Sequence, residues 1–95
     1  MMVTVKIPTP LQMFSGGKSE VACSASNIAE LVQALEQEHP GLRDRLVEGG
    51  RIRRFINIYV NGEDIRTLSA EATVLKHGDV VTIIAAIAGG ISSPR

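Results

Sequence analysis

The sequence predicts an α+β domain in which one main helix packs on one face of a mixed β-sheet. Three observations lead to this prediction: apolar residues alternate over 3–7, one helical apolar stripe spans 28–35, and a continuous apolar run covers 80–86. A chain of 95 residues, of which 44% are hydrophobic, has room for one such domain with one core.

The N-terminal part of the chain predicts two strands that form a hairpin. Every second residue of the segment 3–7 is apolar, which is typical of a strand with one buried face. Pro8 and Pro10 end this strand, because proline cannot donate a hydrogen bond to a neighbouring strand. Val21 and Cys23 repeat the alternation, so we expect a second strand that turns Cys23 inward.

The next segment predicts the one long helix. Asn27 is a suitable N-cap, and Glu30 follows it at the spacing of a capping box. Pro40 disfavours helical geometry in His39, so we expect the helix to end there. The apolar positions that share one helical face are Ile28, Leu31, Val32 and Leu35.

The second half predicts the rest of the sheet. The segment 55–60 is rich in β-branched and aromatic residues, and Asn61-Gly62 favours a tight hairpin turn into a short strand over 63–66. Gly78-Asp79 marks a turn before the run 80–86, which we expect in the middle of the sheet, beside the first strand and buried on both faces. This order of elements is that of a β-grasp.

Composition excludes several classes of protein. Ten Lys and Arg residues balance ten Asp and Glu residues, which argues against a general binder of nucleic acid or anionic membranes. A single cysteine excludes an internal disulfide framework. The sequence contains no apolar run of about 18 residues and no secretory signal, so we expect a cytoplasmic protein with no membrane partner.

The side chains predict no catalytic residue and no metal site. His39 and His77 both lie in expected turns, and no second ligand stands at a suitable spacing. Cys23 is expected to be a small buried hydrophobe, because no nearby base or positive charge would activate it. Gly17-Lys18-Ser19 resembles the end of a phosphate loop, but Gln12 replaces the required glycine.

Two surface features are compatible with a docking function. The segment 41–66 holds a basic cluster that is either a solvated loop or a patch for an acidic partner, and it includes Arg53 and Arg54. Phe55 and Tyr59 are expected on the open face of the sheet. There they either anchor a partner or form ordinary cross-strand pairs.

The C-terminal segment is the last notable feature. We expect the domain to span residues 1–88 and a flexible tail to span 89–95. Ala88, Gly89 and Gly90 form an almost side-chain-free stretch that can enter a channel too narrow for other residues. Taken alone, the two glycines are equally compatible with simple fraying.

The chain resembles the ubiquitin-like sulfur carriers of molybdopterin, thiamin and cysteine biosynthesis, and is most similar to the actinobacterial carriers of the cysteine pathway. The resemblance covers residues 2–90. It rests on the Val-Thr-Val-x-Ile-Pro-Thr start at 3–9, the strand 55–61, the entry into the last strand at 78–83, and the Ala-Ile-Ala-Gly-Gly ending at Gly90.

The resemblance implies a carrier that has no cofactor of its own and is acted on by enzymes. An E1-like adenylyltransferase uses ATP and a sulfur donor to convert the Gly90 carboxylate into a thiocarboxylate. A sulfur-accepting synthase, pyridoxal-phosphate dependent in the cysteine pathway, takes the sulfur for cysteine or another metabolite. Because Ile91 follows Gly90 here, a metalloprotease is expected to remove residues 91–95 by cutting between Gly90 and Ile91.

Two other functions stay open at this point. The chain is either a modifier conjugated to lysines through Gly90, or a non-catalytic interaction module in which the glycines have no chemistry. Free thiocarboxylate, covalent adducts or an untouched C-terminal segment would distinguish the three.

Overall fold

A computed structural model describes residues 2–85 of the protein. Its strands are β1 (Met2–Lys6), β2 (Glu20–Ser24), β3 (Val47–Glu48), β4 (Arg51–Ile52), β5 (Ile56–Val60), β6 (Glu63–Asp64) and β7 (Val80–Ala85). Its helices are α1 (Ile28–Glu38) and α2 (Leu42–Leu46), and short 3-10 turns cover Thr9–Phe14, Ile65–Thr67 and Ala70–Ala72. The predicted boundary at residue 88 and the tail over 89–95 lie outside the described residues and stay predictions.

Five strands form one mixed sheet in the order β2-β1-β7-β5-β6. The hairpin of β1 and β2 is antiparallel, β1 and β7 run parallel with Thr4 opposite Val80, and β5 is antiparallel to β7. The last strand therefore lies in the middle of the sheet beside the first. The predicted β-grasp is confirmed.

Helix α1 begins at the predicted cap. The Asn27 side-chain oxygen accepts a hydrogen bond from the Glu30 N–H at 2.8 Å. The Glu30 carboxylate accepts from the Ser26 N–H at 3.0 Å and from its hydroxyl at 2.6 Å, one residue earlier than in a standard capping box. The apolar stripe of α1 is buried as predicted: Ile28, Leu31 and Leu35 join the main core, and Val32 is buried outside that cluster.

The prediction that the last strand is buried on both faces is wrong. Val81 and Ile83 point into the core, whereas Ile84 is 44% exposed. The cause lies in the layers of the fold: α1 covers one face of the sheet, and in the part of the chain that the structure describes no element covers the other. A central position guarantees two neighbouring strands but not two covered faces.

The prediction that Phe55 lies on the open sheet face is also wrong. Ile56, Ile58 and Val60 of β5 are buried as expected, and Tyr59 lies on the opposite face. Phe55, however, precedes β5 in a turn, where the Ile56 N–H donates to the Arg53 carbonyl at 3.0 Å. Because of this turn, the strand and its alternation of buried and exposed side chains begin at Ile56, one residue later than predicted.

The Asn61-Gly62 turn fixes the start of β7 as well as the hairpin of β5 and β6. Asn61 and Gly62 have φ angles of 52° and 89°, as this turn requires. The Asn61 side chain accepts from the Val80 N–H at 3.0 Å and donates to Asp79 at 2.9 Å. The Lys76 N–H, and after it the Asn61 amide, hold the pKa of Asp79 below its usual value. The turn thus anchors the strand that leads to the C-terminal segment.

Candidate functional site

The candidate site is the end of the sheet at which β7 ends. Ala85, the last residue of β7, pairs with Ile56, the first residue of β5. Strand β5 accompanies β7 to its last residue, whereas the pairing of β1 with β7 ends at Lys6 and Thr82. The predicted functional residues Ala88, Gly89, Gly90 and Ile91 follow this point and lie outside the described residues.

The open face of the sheet leads up to this end. Tyr59 pairs with Thr82 on one side and Asp64 on the other, and is half-buried at the middle of the face. Ile84 pairs with Asn57 one step closer to the end of the sheet. The sequence analysis missed Ile84 as a surface residue because a continuous apolar run carries no sign of which face is covered.

Arg66 holds the polar edge of this face in place. Its guanidinium donates to the Asn57 side chain at 2.7 Å and forms an ion pair with Asp64 at 2.7 Å. Hydrogen bonds from the Arg66 guanidinium, and after them the one from the Arg66 N–H, lower the pKa of the Asp64 carboxyl. The edge beside Tyr59 is therefore a fixed set of polar groups, which the sequence analysis did not assign to the site.

The loop over 53–55 lies directly beside the end of β7. Arg53 is turned toward the preceding elements, where its side chain donates to the Asp44 carbonyl at 2.9 Å and contacts Glu48 at 3.4 Å. Arg54 is exposed, and Phe55 is 62% exposed. The structure thus places Arg54 and Phe55 close to the end of β7 and Tyr59 farther from that end, while Arg53 supports the loop.

Among residues 2–85, no arrangement of side chains indicates a catalytic site. The Cys23 side chain is buried, and its thiol donates to the Leu31 carbonyl at 4.0 Å. Burial, with a smaller effect of the Glu38 carboxylate, raises the pKa of this thiol, which opposes a nucleophilic role. His77 accepts a hydrogen bond from the Met2 N–H at 3.2 Å. Over the same residues, no three His, Cys, Asp or Glu side chains come together as a metal site.

Neither helix of the described chain has the length and apolar character needed to cross a membrane.

Comparisons with known proteins include part of the C-terminal segment. The sequence model of the ThiS family matches residues 5–90. The sulfur carrier protein CysO of Mycobacterium tuberculosis is 42% identical over 93 residues, which cover 95% of this chain and 100% of the relative. Small archaeal modifier protein 3 of Haloferax volcanii is 34% identical over 65 residues, 68% of this chain and 71% of the relative.

A solved structure agrees with the sequence comparison. A chain in the crystal structure of the Amycolatopsis orientalis BexX/CysO complex superimposes with a TM-score of 0.88 at 41% identity. The match covers 93% of this chain and 99% of that one.

Proposed function

The chain belongs to the ThiS family, as its resemblance to the ubiquitin-like sulfur carriers predicts, and from this premise we propose that it is a sulfur carrier protein whose reactive group is the carboxylate of Gly90. The observation that supports this most is the family match over residues 5–90, because it includes both glycines of the C-terminal segment. The chain is then a protein substrate, and its partner enzymes supply the catalytic groups.

The proposed reaction begins with hydrolysis of the bond between Gly90 and Ile91, since an internal glycine has no free carboxylate. A metalloprotease adds water across this peptide bond and releases residues 91–95. The Gly90 carboxylate then attacks the α-phosphate of ATP on an E1-like enzyme and displaces pyrophosphate. A sulfur donor supplies hydrosulfide, which displaces AMP from the acyl adenylate and leaves a thiocarboxylate. Because activation consumes ATP, we place this reaction in the cytoplasm.

The thiocarboxylate is the form that delivers sulfur. A carboxylate is a poor electrophile until one oxygen becomes part of a good leaving group, which explains why ATP is spent first. The product is a strong nucleophile at neutral pH that attacks an acceptor on a synthase. By likeness to the mycobacterial relative, whose name is that of a sulfur carrier, we propose cysteine or another sulfur-containing metabolite as the product, and a pyridoxal-phosphate enzyme as the synthase.

The proposed docking surface follows from the reach of the tail. Gly90 is the fifth residue after Ala85, so even a fully extended segment between them spans only about 17 Å. An enzyme that acts on Gly90 must therefore contact the end of the sheet. We assign Phe55, Tyr59 and Ile84 as apolar contacts, with Arg54 beside them and Arg53 holding their loop. The complex of a CysO relative with BexX supports action through docking on another protein.

Ile84→Glu is expected to raise the KM of the activating enzyme for this carrier about tenfold and to leave kcat nearly unchanged. The reason is that a side chain 44% exposed on the open face would otherwise be buried on docking, a gain of roughly 1–2 kcal/mol. Steady-state pyrophosphate release, measured with carrier that ends at Gly90, gives both constants. Ala22→Glu, also exposed but on the edge strand β2, is the matched control and should behave as wild type. Equal KM values for Ile84→Glu and Ala22→Glu would contradict the docking surface.

The intact mass of the protein isolated from its own host tests the proposed function. We expect loss of residues 91–95 together with the mass increment of one oxygen replaced by sulfur. A chain that keeps residues 91–95 even under sulfur demand would contradict the carrier function and favour a plain interaction module.

A second candidate is a lysine-linked modifier, which the similarity to small archaeal modifier protein 3 favours. Modifier and carrier need the same cut and the same activation. Gly90 isopeptide adducts of higher mass, without free thiocarboxylate, would decide for the modifier.

A further inference from the structure

A cleft of about 310 Å³ opens between the segment 51–58 and the segment 64–71. Its floor is apolar and is formed by Ile56, Ile58 and Ile65. The three side chains belong to the main core, so the cleft is an opening onto the core from the β6 side of the sheet.

The rim of the cleft is positively charged. Four arginines and two acids line it, which gives a net charge of +2 in a chain whose formal net charge is zero. The six charged residues are Arg51, Arg53, Arg54, Arg66, Asp64 and Glu71. Basic charge is therefore concentrated at this cleft, and other parts of the chain carry the balancing acids.

Both acids of the rim already have partners. Asp64 forms the ion pair with Arg66 at 2.7 Å. Glu71 accepts a hydrogen bond from the Ile52 N–H at 3.0 Å, which lowers the pKa of its carboxyl and fixes it against the wall. Arg51 and Arg54, in contrast, are exposed, and neither forms an ion pair with another residue of the described range 2–85. These two guanidinium groups are available to a ligand.

The cleft lies close to the end of β7. Ile56, part of its floor, pairs with Ala85, the last residue of β7. A protein that holds the segment after Ala85 therefore acts within a short distance of the cleft. An apolar centre inside a charged rim is the usual composition of a protein docking site.

We propose that this cleft binds an acidic segment of the enzyme that receives the C-terminal tail. Carboxylates of that segment pair with Arg51 and Arg54, and one of its aliphatic side chains covers the isoleucine floor. The identity of this partner rests on the proposed function, whereas binding of an acidic apolar segment rests on the cleft alone.

The lining of the cleft argues for a peptide over other anions. No aromatic residue of the range 2–85 lines it, so a nucleic acid base or a nucleotide would find no aromatic stacking surface. The Ile52 N–H, a backbone donor in the wall, is already used by Glu71 and is not free for a phosphate. A floor of three isoleucines favours a ligand that carries an alkyl group between its charges.

The first experiment tests the cleft itself with an acetylated, amidated peptide of alternating Glu and Leu. In amide NMR spectra of the full chain, we expect shift changes confined to 51–58 and 64–71. Arg51→Glu/Arg54→Glu should weaken binding by about tenfold or more, and raising salt from about 50 to about 300 mM should weaken it further. Lys18→Glu/Lys76→Glu reverses the same number of positive charges at exposed positions outside the cleft, and this control protein should bind the peptide as wild type does.

Three results would overturn the proposal: no binding of the peptide, equal binding by both charge-reversed proteins, or displacement by inorganic phosphate at the same concentration. A Gln-Leu peptide that binds as well as the Glu-Leu peptide would also overturn it, because the arginines would then contribute nothing. Thermal melts of both variants check that each is folded.

The second experiment tests the partner. With carrier ending at Gly90, Arg51→Glu/Arg54→Glu should raise the KM of the activating enzyme about tenfold while kcat is retained. An unchanged KM, with the peptide result intact, would overturn the assignment to the tail-receiving enzyme. If the wild-type carrier is not adenylated at all, the proposed function fails, and the peptide result still decides whether the cleft binds an acidic segment.

Discussion

Gly90→Ala is expected to reduce adenylation by about 100-fold or more in kcat/KM, with both proteins presented without residues 91–95. In the proposed mechanism the active-site channel of the activating enzyme fits a backbone without side chains, so it has no room for the added methyl group. The methyl group also restricts the backbone angles available at position 90. Pyrophosphate release measures the rate.

Folding should be unaffected by this substitution, because position 90 lies five residues beyond Ala85, the end of β7. The thermal melt of Gly90→Ala should therefore match that of wild type. Ala88→Gly is the matched control in the same segment, since it removes a methyl group and a narrow channel still accepts it. Equal activation of Gly90→Ala and wild type would contradict the narrow channel.

Leu31→Asp is expected to unfold the domain. Leu31 lies on α1 with 0% of its surface exposed, so the substitution buries a carboxylate among the apolar residues of the core. A loss of about 4 kcal/mol or more approaches the whole stability of a domain of this size. Circular dichroism during heating should show no cooperative transition.

Gln33→Asp is the matched control for the core substitution. Gln33 lies on the exposed side of the same helix, so the new charge stays in water and the free energy of unfolding should change by no more than about 0.5 kcal/mol. A cooperative melt of Leu31→Asp that coincides with that of Gln33→Asp would contradict the assigned core face of α1.

Much of the fold could be predicted because several segments carry local signals. The alternation over 3–7, the Asn27 cap and the Asn61-Gly62 turn each depend on residues close together in the chain. The two-residue strands β3 and β4 could not be predicted, because two residues are too short to show a period. The exposure of Ile84 could not be predicted for another reason: it depends on which face of the sheet a distant helix covers.

The candidate site was predictable only in part. Its glycines are recognisable in the sequence, and Arg54 and Phe55 lie close to the end of β7 as a docking role requires. The cleft beside them has no local signal, because its floor combines Ile56 and Ile58 of β5 with Ile65, which follows β6. Side chains from separate segments become one surface only after the sheet has formed.

The parallel pairing of β1 with β7 has a consequence for biosynthesis. Thr4 and Val80 are neighbours in the sheet although 76 positions separate them, so the central pair closes nearly the largest loop that the domain contains. Such high contact order slows folding, and during translation it postpones the pairing until β7 has emerged from the ribosome. A nascent chain that lacks β7 therefore cannot complete the sheet end that we propose as the docking surface. Under the proposed function, this topology makes a finished fold the condition for handing the C-terminus to the activating enzyme.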